Sequence, residues 1–276
     1  MNSRADNFRN LLIEMYGKTI TNRMVDNDLS LKNQGISKSI QKDIKEHLLI
    51  LENKFDLEIL IIYKEWVLDF PGWFGKLNFN NNDPAKKIVI IGQDPHLPRH
   101  KSYGQYELYG AYAACDPDEI GKQNVWSIVP YITGLSRNIT DTSSKNLIYA
   151  TDRCYITPKH FSAIEKDKNR SWQNISKIIG GYFIKKQIDI LRPNIIISNG
   201  SIAYNMLTEN DMYVETGQEE LFSISNKRPR YIKTAKNIES GIILISIPHL
   251  GGRHSNFWKD NETIIKAKEI ISSKLN

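Results

Sequence analysis

The fold is decided by the stretch Lys87-Ile88-Val89-Ile90-Ile91-Gly92, an uninterrupted run of mostly branched apolar residues that Gln93-Asp94-Pro95-His96 follows directly. Three further runs, at residues 146–150, 194–198 and 242–246, have a similar length and character. Apolar residues at consecutive positions are typical of strands that are buried on both faces of a parallel sheet. The sequence therefore predicts four such strands.

Helical patterns separate these strands, at Val125–Leu135 and at Trp172–Leu191, which ends before Pro193. Alternating strands and helices favour an α/β fold with helices on both faces of the sheet. We predict a three-layer α/β/α domain over residues 81–276, with a short central, mostly parallel four-stranded sheet. The polar and basic stretch 210–240 is predicted to be a hairpin or a flexible loop.

The first 80 residues have a different pattern and are predicted to form a helical N-terminal extension. Helical spacing of apolar residues appears at Asn7–Tyr16 and Ile36–Leu51, and a third helix is expected over Asp56–Phe70, before Pro71-Gly72. No Gly/Ser or Pro-rich linker separates this region from the rest of the chain. We expect it to pack on the α/β domain.

Composition excludes several classes of protein. The 276 residues are 40% hydrophobic and 25% charged, as in an ordinary globular protein. No apolar run reaches the roughly 18 residues of a membrane span, and the first residues do not resemble a secretory signal. The two cysteines, Cys115 and Cys154, cannot form a disulfide framework. We expect a cytoplasmic protein, whose net charge of +6 permits nucleic acid as a partner.

Polar residues follow each predicted strand. Asp94 follows the first strand and Asp152 the second, Asn199-Gly200 follows the third, and His249 follows the fourth. In open α/β sheets, ligands bind at the carboxyl ends of the strands. We therefore expect two acidic residues and an imidazole to lie along one edge of the sheet.

The residues at this edge resemble two motifs of the uracil-DNA glycosylase superfamily. Gly92-Gln93-Asp94-Pro95 matches the first four positions of the family's Gly-Gln-Asp-Pro-Tyr-His motif, and His249 matches the first position of its His-Pro-Ser motif. The resemblance runs from Lys86 to the C-terminus in strand order and motif position, and it does not cover the first 80 residues. It implies an enzyme that acts on DNA without a metal or another cofactor.

The resemblance also implies roles in cleaving a nucleoside's N-glycosidic bond. Asp94 would stabilise the oxocarbenium-like sugar and orient the attacking water. His249 would donate a hydrogen bond to the carbonyl O2 of the departing base, where negative charge develops. The backbone near Gln93 would help to bind the base. The simpler alternatives are an Asp-Pro turn and an ordinary loop histidine.

A flipped base needs an aromatic wall, and the resemblance assigns that wall to Tyr112, with Tyr109 as the second candidate. Tyrosines spaced three apart in this region are equally consistent with one face of a short helix. The family's residue that enters the space left by the flipped base corresponds to Arg253. His254, Ser255 and Lys259 would bind DNA phosphates.

Two departures from the family bear on which base is cut. Asp152 stands where the family has the Asn that contacts uracil, and a protonated Asp would instead match the N3 and N4 groups of cytosine. His96 replaces the Tyr that excludes substituents at C5. Both changes favour cytosine or a C5-modified cytosine, and a modified base suggests a defence enzyme directed against phage DNA.

Several alternatives remain open at this stage. The chain could be an ordinary uracil-DNA glycosylase of base-excision repair, with another residue such as Asn146 contacting the base. It could also be a non-catalytic member that binds nucleic acid. A nucleotide-binding oxidoreductase lacks its glycine-rich fingerprint here. A zinc hydrolase is disfavoured because Pro98 lies between His96 and His100. We expect a monomer.

Overall fold

The computed structural model of this chain describes residues 3–25, 38–59, 66–69, 88–92, 106–109, 128–135, 137, 148–152, 156–158, 175–209, 213–221, 229–250 and 257–275. These residues form helices, parallel strand pairs and antiparallel strand pairs, so the chain has the predicted α/β class. No helix within these ranges is both long enough and apolar enough to cross a membrane.

The chain divides into two compact units, and each unit is built from three separate segments. Unit 1 contains Met1–Ala85, Asp94–Asp116 and Thr151–Arg192. Unit 2 contains Lys86–Gln93, Pro117–Ala150 and Pro193–Asn276. The two units are defined by the contacts that their own segments make with one another. The predicted organisation into an extension over residues 1–80 and an α/β domain over residues 81–276 stays a prediction.

Unit 1 contains four helices among its described residues: α1 (Arg4–Tyr16), α2 (Lys18–Val25), α3 (Lys38–Phe55) and α5 (Gly181–Leu191), which continues a π-helical turn at Ser176–Gly180. Helix α1 begins with a capping box, in which Ser3 Oγ accepts from the Asp6 amide and Asp6 accepts from the Ser3 amide. The helices predicted at Asn7–Tyr16, Ile36–Leu51 and Trp172–Leu191 are confirmed where the structure describes them.

The buried faces of these helices explain why they form. Helix α1 buries Phe8, Leu11, Leu12 and Met15, and α1 contacts α2 and α5. Complete burial of one such side chain contributes about 1.5–3 kcal/mol. Tertiary packing of an apolar face, more than helix propensity, therefore holds this group of helices together.

Unit 1 also contains a three-stranded sheet in the order β3-β1-β5, made of β1 (Trp66–Asp69), β3 (Tyr106–Tyr109) and β5 (Ile156–Pro158). Strand β1 is parallel to β3 and antiparallel to β5. The helix predicted over Asp56–Phe70 is therefore wrong at residues 66–69. Trp66, Val67 and Leu68 have the aromatic, branched and apolar side chains that suit a strand, and strand partners distant in sequence decide their conformation.

The main sheet has six strands in the order β4-β2-β6-β9-β8-β7. These strands are β2 (Ile88–Gly92), β4 (Ile148–Asp152), β6 (Ile195–Asn199), β7 (Val214–Leu221), β8 (Arg230–Lys236) and β9 (Ile243–Ile247). The strands β2, β6 and β9 are parallel to one another. Every residue of β2 and β6 is buried, as their uninterrupted apolar sequences predict.

The four predicted strands are confirmed and are neighbours in this sheet, but the prediction of a four-stranded sheet is wrong. Strands β7 and β8 form a hairpin within residues 210–240, and β8 pairs antiparallel with β9, which adds two strands. The added strands were hard to predict because their outward positions are polar, and Val214–Gln218 is largely exposed. The hairpin alternative for this stretch is the correct one.

The described helices of unit 2 are α4 (Ile128–Ile132), α6 (Ser201–Thr208) and α7 (Asn261–Leu275). Helix α4 lies within the predicted Val125–Leu135, whereas α6 and α7 were not predicted. Helix α6 contacts β6 and β9, and α7 contacts α4, β7 and β8. Helix α6 begins immediately after β6, so it starts at the carboxyl end of the parallel strands.

Candidate functional site

Three parallel strands of unit 2 end at the same level. The strand pairings align Ile91 with Ser198 and Ser198 with Ser246, so β2, β6 and β9 are in register up to their carboxyl ends. The chain leaves β6 into Gly200 and leaves β9 into Pro248 and His249. This edge is where ligands bind in open α/β sheets, and it is the candidate site.

His249 lies beside Gly200 at this edge. The imidazole is half-buried, and its Cδ2 atom would be 3.7 Å from a Cβ built on Gly200. Gly200 has φ of 97° and ψ of 170°, a backbone conformation that is essentially restricted to glycine. The glycine therefore provides the turn from β6 into α6, and a Cβ added there would make ordinary van der Waals contact with the histidine side chain.

Hydrogen bonds hold the backbone on both sides of His249. The Leu250 amide donates to Asn199 Oδ1 at 2.7 Å, and the indole Nε1 of Trp258 donates to the Pro248 carbonyl at 3.1 Å. The Gly200 amide donates to the Ile247 carbonyl at 2.9 Å. The first residues after β9 are thus fixed to the end of β6.

Two buried serines hold the other side of this turn. Ser198 Oγ donates to the Gly200 carbonyl, and Ser246 Oγ donates more weakly to the same oxygen at 3.4 Å. Both serines belong to strands that are buried on both faces, where a hydroxyl needs a partner. The Gly200 carbonyl supplies that partner for the two neighbouring strands.

Most of the sequence-predicted site residues lie outside the described residues. These are Gln93, Asp94, His96, Tyr112, Arg253, His254 and Ser255. Asp152 is the last residue of β4, which neighbours β2, and Tyr109 is the last residue of β3 in the smaller sheet. Of the predicted site residues, the structure describes the side chains of two: His249, at this edge, and Lys259, which is exposed at the end of the 3₁₀ turn Phe257–Lys259.

The sequence interpretation missed the hydrogen bonds that Asn199 and Trp258 make to the backbone on either side of His249. Asn199 follows a predicted strand, so its position at the edge could be foreseen, but no role was assigned to it. Its partner Leu250 is 51 residues away in sequence, and Trp258 reaches across ten residues to Pro248. A polar Asn-Gly pair at the end of a buried apolar run was the signal available.

A separate cavity of about 190 Å³ lies in unit 1. It is bounded by the turn between α1 and α2, including Gly17 and Lys18, and by one face of α3 with Asp43, His47 and Ile50. The described residues that line it include no sequence-predicted site residue. Within the described ranges, no group of three or more His, Cys, Asp or Glu side chains is arranged to hold a metal ion.

Comparisons with known proteins do not supply a family. A scan against protein-family models gives no match, and a search of curated protein sequences gives no significant match. The functional interpretation therefore depends on the chemistry of the residues at this edge.

Proposed function

We propose that this chain is a DNA glycosylase that hydrolyses the N-glycosidic bond of a flipped pyrimidine, with cytosine or a C5-modified cytosine favoured over uracil. The observation that carries the proposal is the alignment of β2, β6 and β9, after which the sequence continues into Gln93-Asp94 and into His249. Asp94 follows Ile91 by three positions, and His249 follows Ser246 by three.

The strand spacing suits a nucleoside. Strands β2 and β9 are separated by β6 alone, so their ends lie about 10 Å apart, twice the spacing of neighbouring strands. That distance leaves room for a base and its sugar between the two strand ends. The same proposal includes the finer fold prediction, a three-layer arrangement with helices on both faces of the sheet.

The proposed reaction breaks the bond between the sugar C1′ and the base nitrogen. The electron pair of that bond leaves with the base, and His249 donates a hydrogen bond to O2 as negative charge develops there. The Asp94 carboxylate stabilises the cationic sugar and orients a water molecule, whose oxygen bonds to C1′. The water's proton passes to the carboxylate and then to the departed base, which leaves an abasic site and a free base.

The base preference is assigned to Asp152 and His96. A buried carboxyl group can remain protonated because desolvation raises its pKa, and it then donates to the cytosine N3 atom and accepts from the N4 amine. Tyr112 is proposed to stack on the extruded base. Gln93 contacts the base through its backbone, and Arg253, His254 and Ser255 contact the DNA.

Removal of ordinary cytosine would damage the cell's own genome. We therefore assign a modified cytosine of foreign DNA as the substrate and defence against phage as the role. The enzyme is proposed to act in the cytoplasm as a monomer, without a cofactor.

An abasic-site assay tests this proposal. Purified protein is incubated with oligonucleotides that contain uracil, cytosine or C5-modified cytosines, and strand breaks are measured after alkali. We expect cleavage at a modified cytosine, and we expect Asp94→Asn to reduce it by at least about 100-fold while DNA binding persists. Asp152→Asn should shift the preference towards uracil. Asp189→Asn, on the exposed face of α5, is the matched control.

The other outcomes separate the alternatives. Cleavage at uracil alone would contradict the cytosine assignment and indicate an ordinary uracil-DNA glycosylase. DNA binding without cleavage of any base, unchanged in the Asp94→Asn variant, would contradict the enzymatic proposal and indicate a non-catalytic DNA-binding protein.

A further inference from the structure

We propose that Asn199 is a positioning residue that fixes the direction of the His249 imidazole. The structural part of this inference concerns unit 2 alone. Its consequence for catalysis depends on the function proposed above. Asn199 itself has no role in bond cleavage in this proposal, because it acts on His249 through the backbone of the loop.

A hydrogen bond joins Asn199 to the residue after His249. The Leu250 amide donates to Asn199 Oδ1 at 2.7 Å, and the two residues are 1% and 6% exposed. A buried amide that loses its acceptor must find another or remain unsatisfied, and both outcomes favour movement of the loop. The side chain of Asn199 therefore determines where the backbone after His249 lies.

The residue before His249 is also held by a hydrogen bond. The Pro248 carbonyl accepts from Trp258 Nε1 at 3.1 Å, and the Ile247 carbonyl accepts from the Gly200 amide at 2.9 Å. With both flanking residues held, the remaining freedom of His249 lies in its side-chain torsions. A Cβ built on Gly200 would lie 3.7 Å from Cδ2 of the ring, so the imidazole lies beside the turn that follows β6.

Such fixation matters for the role assigned to His249. A hydrogen-bond donor stabilises a developing charge best when it already points at the place where that charge appears. A displacement of about 1 Å can reduce the rate about 100-fold. Asn199 is thus expected to affect turnover more than substrate affinity, because the ground-state base carries little of the charge.

Two substitutions at this position make the test specific. Asn199→Ala removes the acceptor for the Leu250 amide. Asn199→Asp keeps an oxygen acceptor in nearly the same place and is the conservative variant. Asn237→Ala is the matched control, because Asn237 Oδ1 also accepts from backbone amides, those of Glu239 and Ser240, in the turn between β8 and β9.

The first measurement is the NMR spectrum of the histidine side chains in ¹⁵N-histidine-labelled full-length protein. His249 is one of six histidines, and its ring signals are assigned by their loss in His249→Gln. We expect Asn199→Ala to shift or broaden the His249 signals selectively. Asn199→Asp and Asn237→Ala should retain them. Unchanged His249 signals in Asn199→Ala would overturn the proposal, and so would their loss in Asn199→Asp.

The second measurement is excision kinetics on the base that the wild type cuts. We expect Asn199→Ala to lower kcat by at least tenfold with KM within about twofold, and Asn199→Asp to restore most of kcat. An unchanged kcat in Asn199→Ala would contradict the catalytic part of the inference. If the wild type cuts no base while the NMR result is as expected, the proposed function fails and the structural inference stands.

Discussion

Gly200 has a backbone conformation that requires glycine at this position. Its φ of 97° and ψ of 170° lie in a region that residues with a side chain avoid at a cost of about 1–3 kcal/mol. Its amide and carbonyl also bind the ends of β6 and β9. A substitution here acts on the backbone at the candidate site.

We predict that Gly200→Ala lowers the free energy of unfolding by about 2–3 kcal/mol, because alanine is strained in this conformation. Urea denaturation followed by circular dichroism measures the change. Gly241→Ala is the control: Gly241 has φ of 72°, and a Cβ there would meet no atom within 4 Å. This left-handed position should lose about 1 kcal/mol. Equal losses in the two variants would contradict the prediction.

At the scale of residues, the sequence predicted where a residue lies in the fold better than which residues it contacts. His249 was expected just after the fourth strand, and it lies there. This position could be predicted because the end of a strand can be read from the local sequence pattern. The bond between Asn199 and Leu250 joins residues 51 positions apart, and no local pattern reports such a pair. The roles of Asp94, Asp152 and Tyr112 remain predictions.

At the scale of elements, one carboxylate joins three helices of unit 1. Glu14 on α1 accepts from Lys186 and from the Tyr182 hydroxyl on α5, each at 2.9 Å, and it also pairs with Lys54 on α3. The Tyr182 ring lies 4.5 Å from both lysine ammonium groups. Partial burial alone would raise the pKa of Glu14, but the hydrogen bonds from Lys54, Lys186 and Tyr182 outweigh it and lower that pKa.

We predict that Glu14→Gln lowers the free energy of unfolding by about 1–2 kcal/mol at low salt, since two lysines lose a shared partner. The loss should shrink in 1 M NaCl because salt screens partly exposed charges. Glu46→Gln is the control, because Glu46 pairs only at 3.7 Å with exposed Lys42 in the same helix. That variant should change stability by less than about 0.5 kcal/mol. A salt-independent effect of Glu14→Gln would contradict the prediction.

Strands β2 and β6 of the main sheet were predictable because burial on both faces leaves an uninterrupted apolar run. The stretch at residues 66–69 was misassigned, since four residues carry too little periodicity to separate a helix from a strand. Strands β7 and β8 are longer, at eight and seven residues, but they contain many polar residues, and the pairing of β8 with β9 depends on the whole sheet. Where distant strand partners decide the secondary structure of a segment, the local sequence does not reveal it.

At the scale of the whole molecule, the dependence of stability on pH should reflect His47. This residue of α3 is 8% exposed. Burial lowers its pKa below 6.5, and hydrogen bonds to the Met15 and Glu14 carbonyls oppose that shift only in part. The folded state therefore binds fewer protons than the unfolded state as the pH falls through 6.5 towards the folded pKa. Stability is present above that window and is lost on acidification.

We predict that the wild type loses more free energy of unfolding than His47→Gln when the pH falls from 8 to 5. Glutamine can still donate to a carbonyl at the end of α1 but does not titrate. Each unit by which the folded pKa lies below 6.5 corresponds to about 1.4 kcal/mol of this difference. Urea denaturation at several pH values gives both curves. Parallel curves for the two proteins would show that His47 does not contribute.

The division of the chain into two compact units could not be predicted from the composition or from the sequence pattern. Each unit combines three chain segments, and the segments of the two units alternate along the sequence. A shift in composition along the sequence marks a domain boundary only where each domain is formed by one continuous segment of the chain. An α/β class could therefore be predicted from the strands, whereas the partition between the units depends on contacts between distant segments.

The parallel pairing of β2 with β6 has a consequence for how the protein is made. Ile88 pairs with Ile195, so 107 residues must be synthesised after β2 begins before its central partner exists. At ribosomal speeds of roughly 5–20 residues per second, this interval lasts on the order of 5–20 s. During that time the five residues Ile88–Gly92 lack the neighbour that shields their edge. Nascent chains that stall before residue 195 thus leave this edge of β2 without its parallel partner.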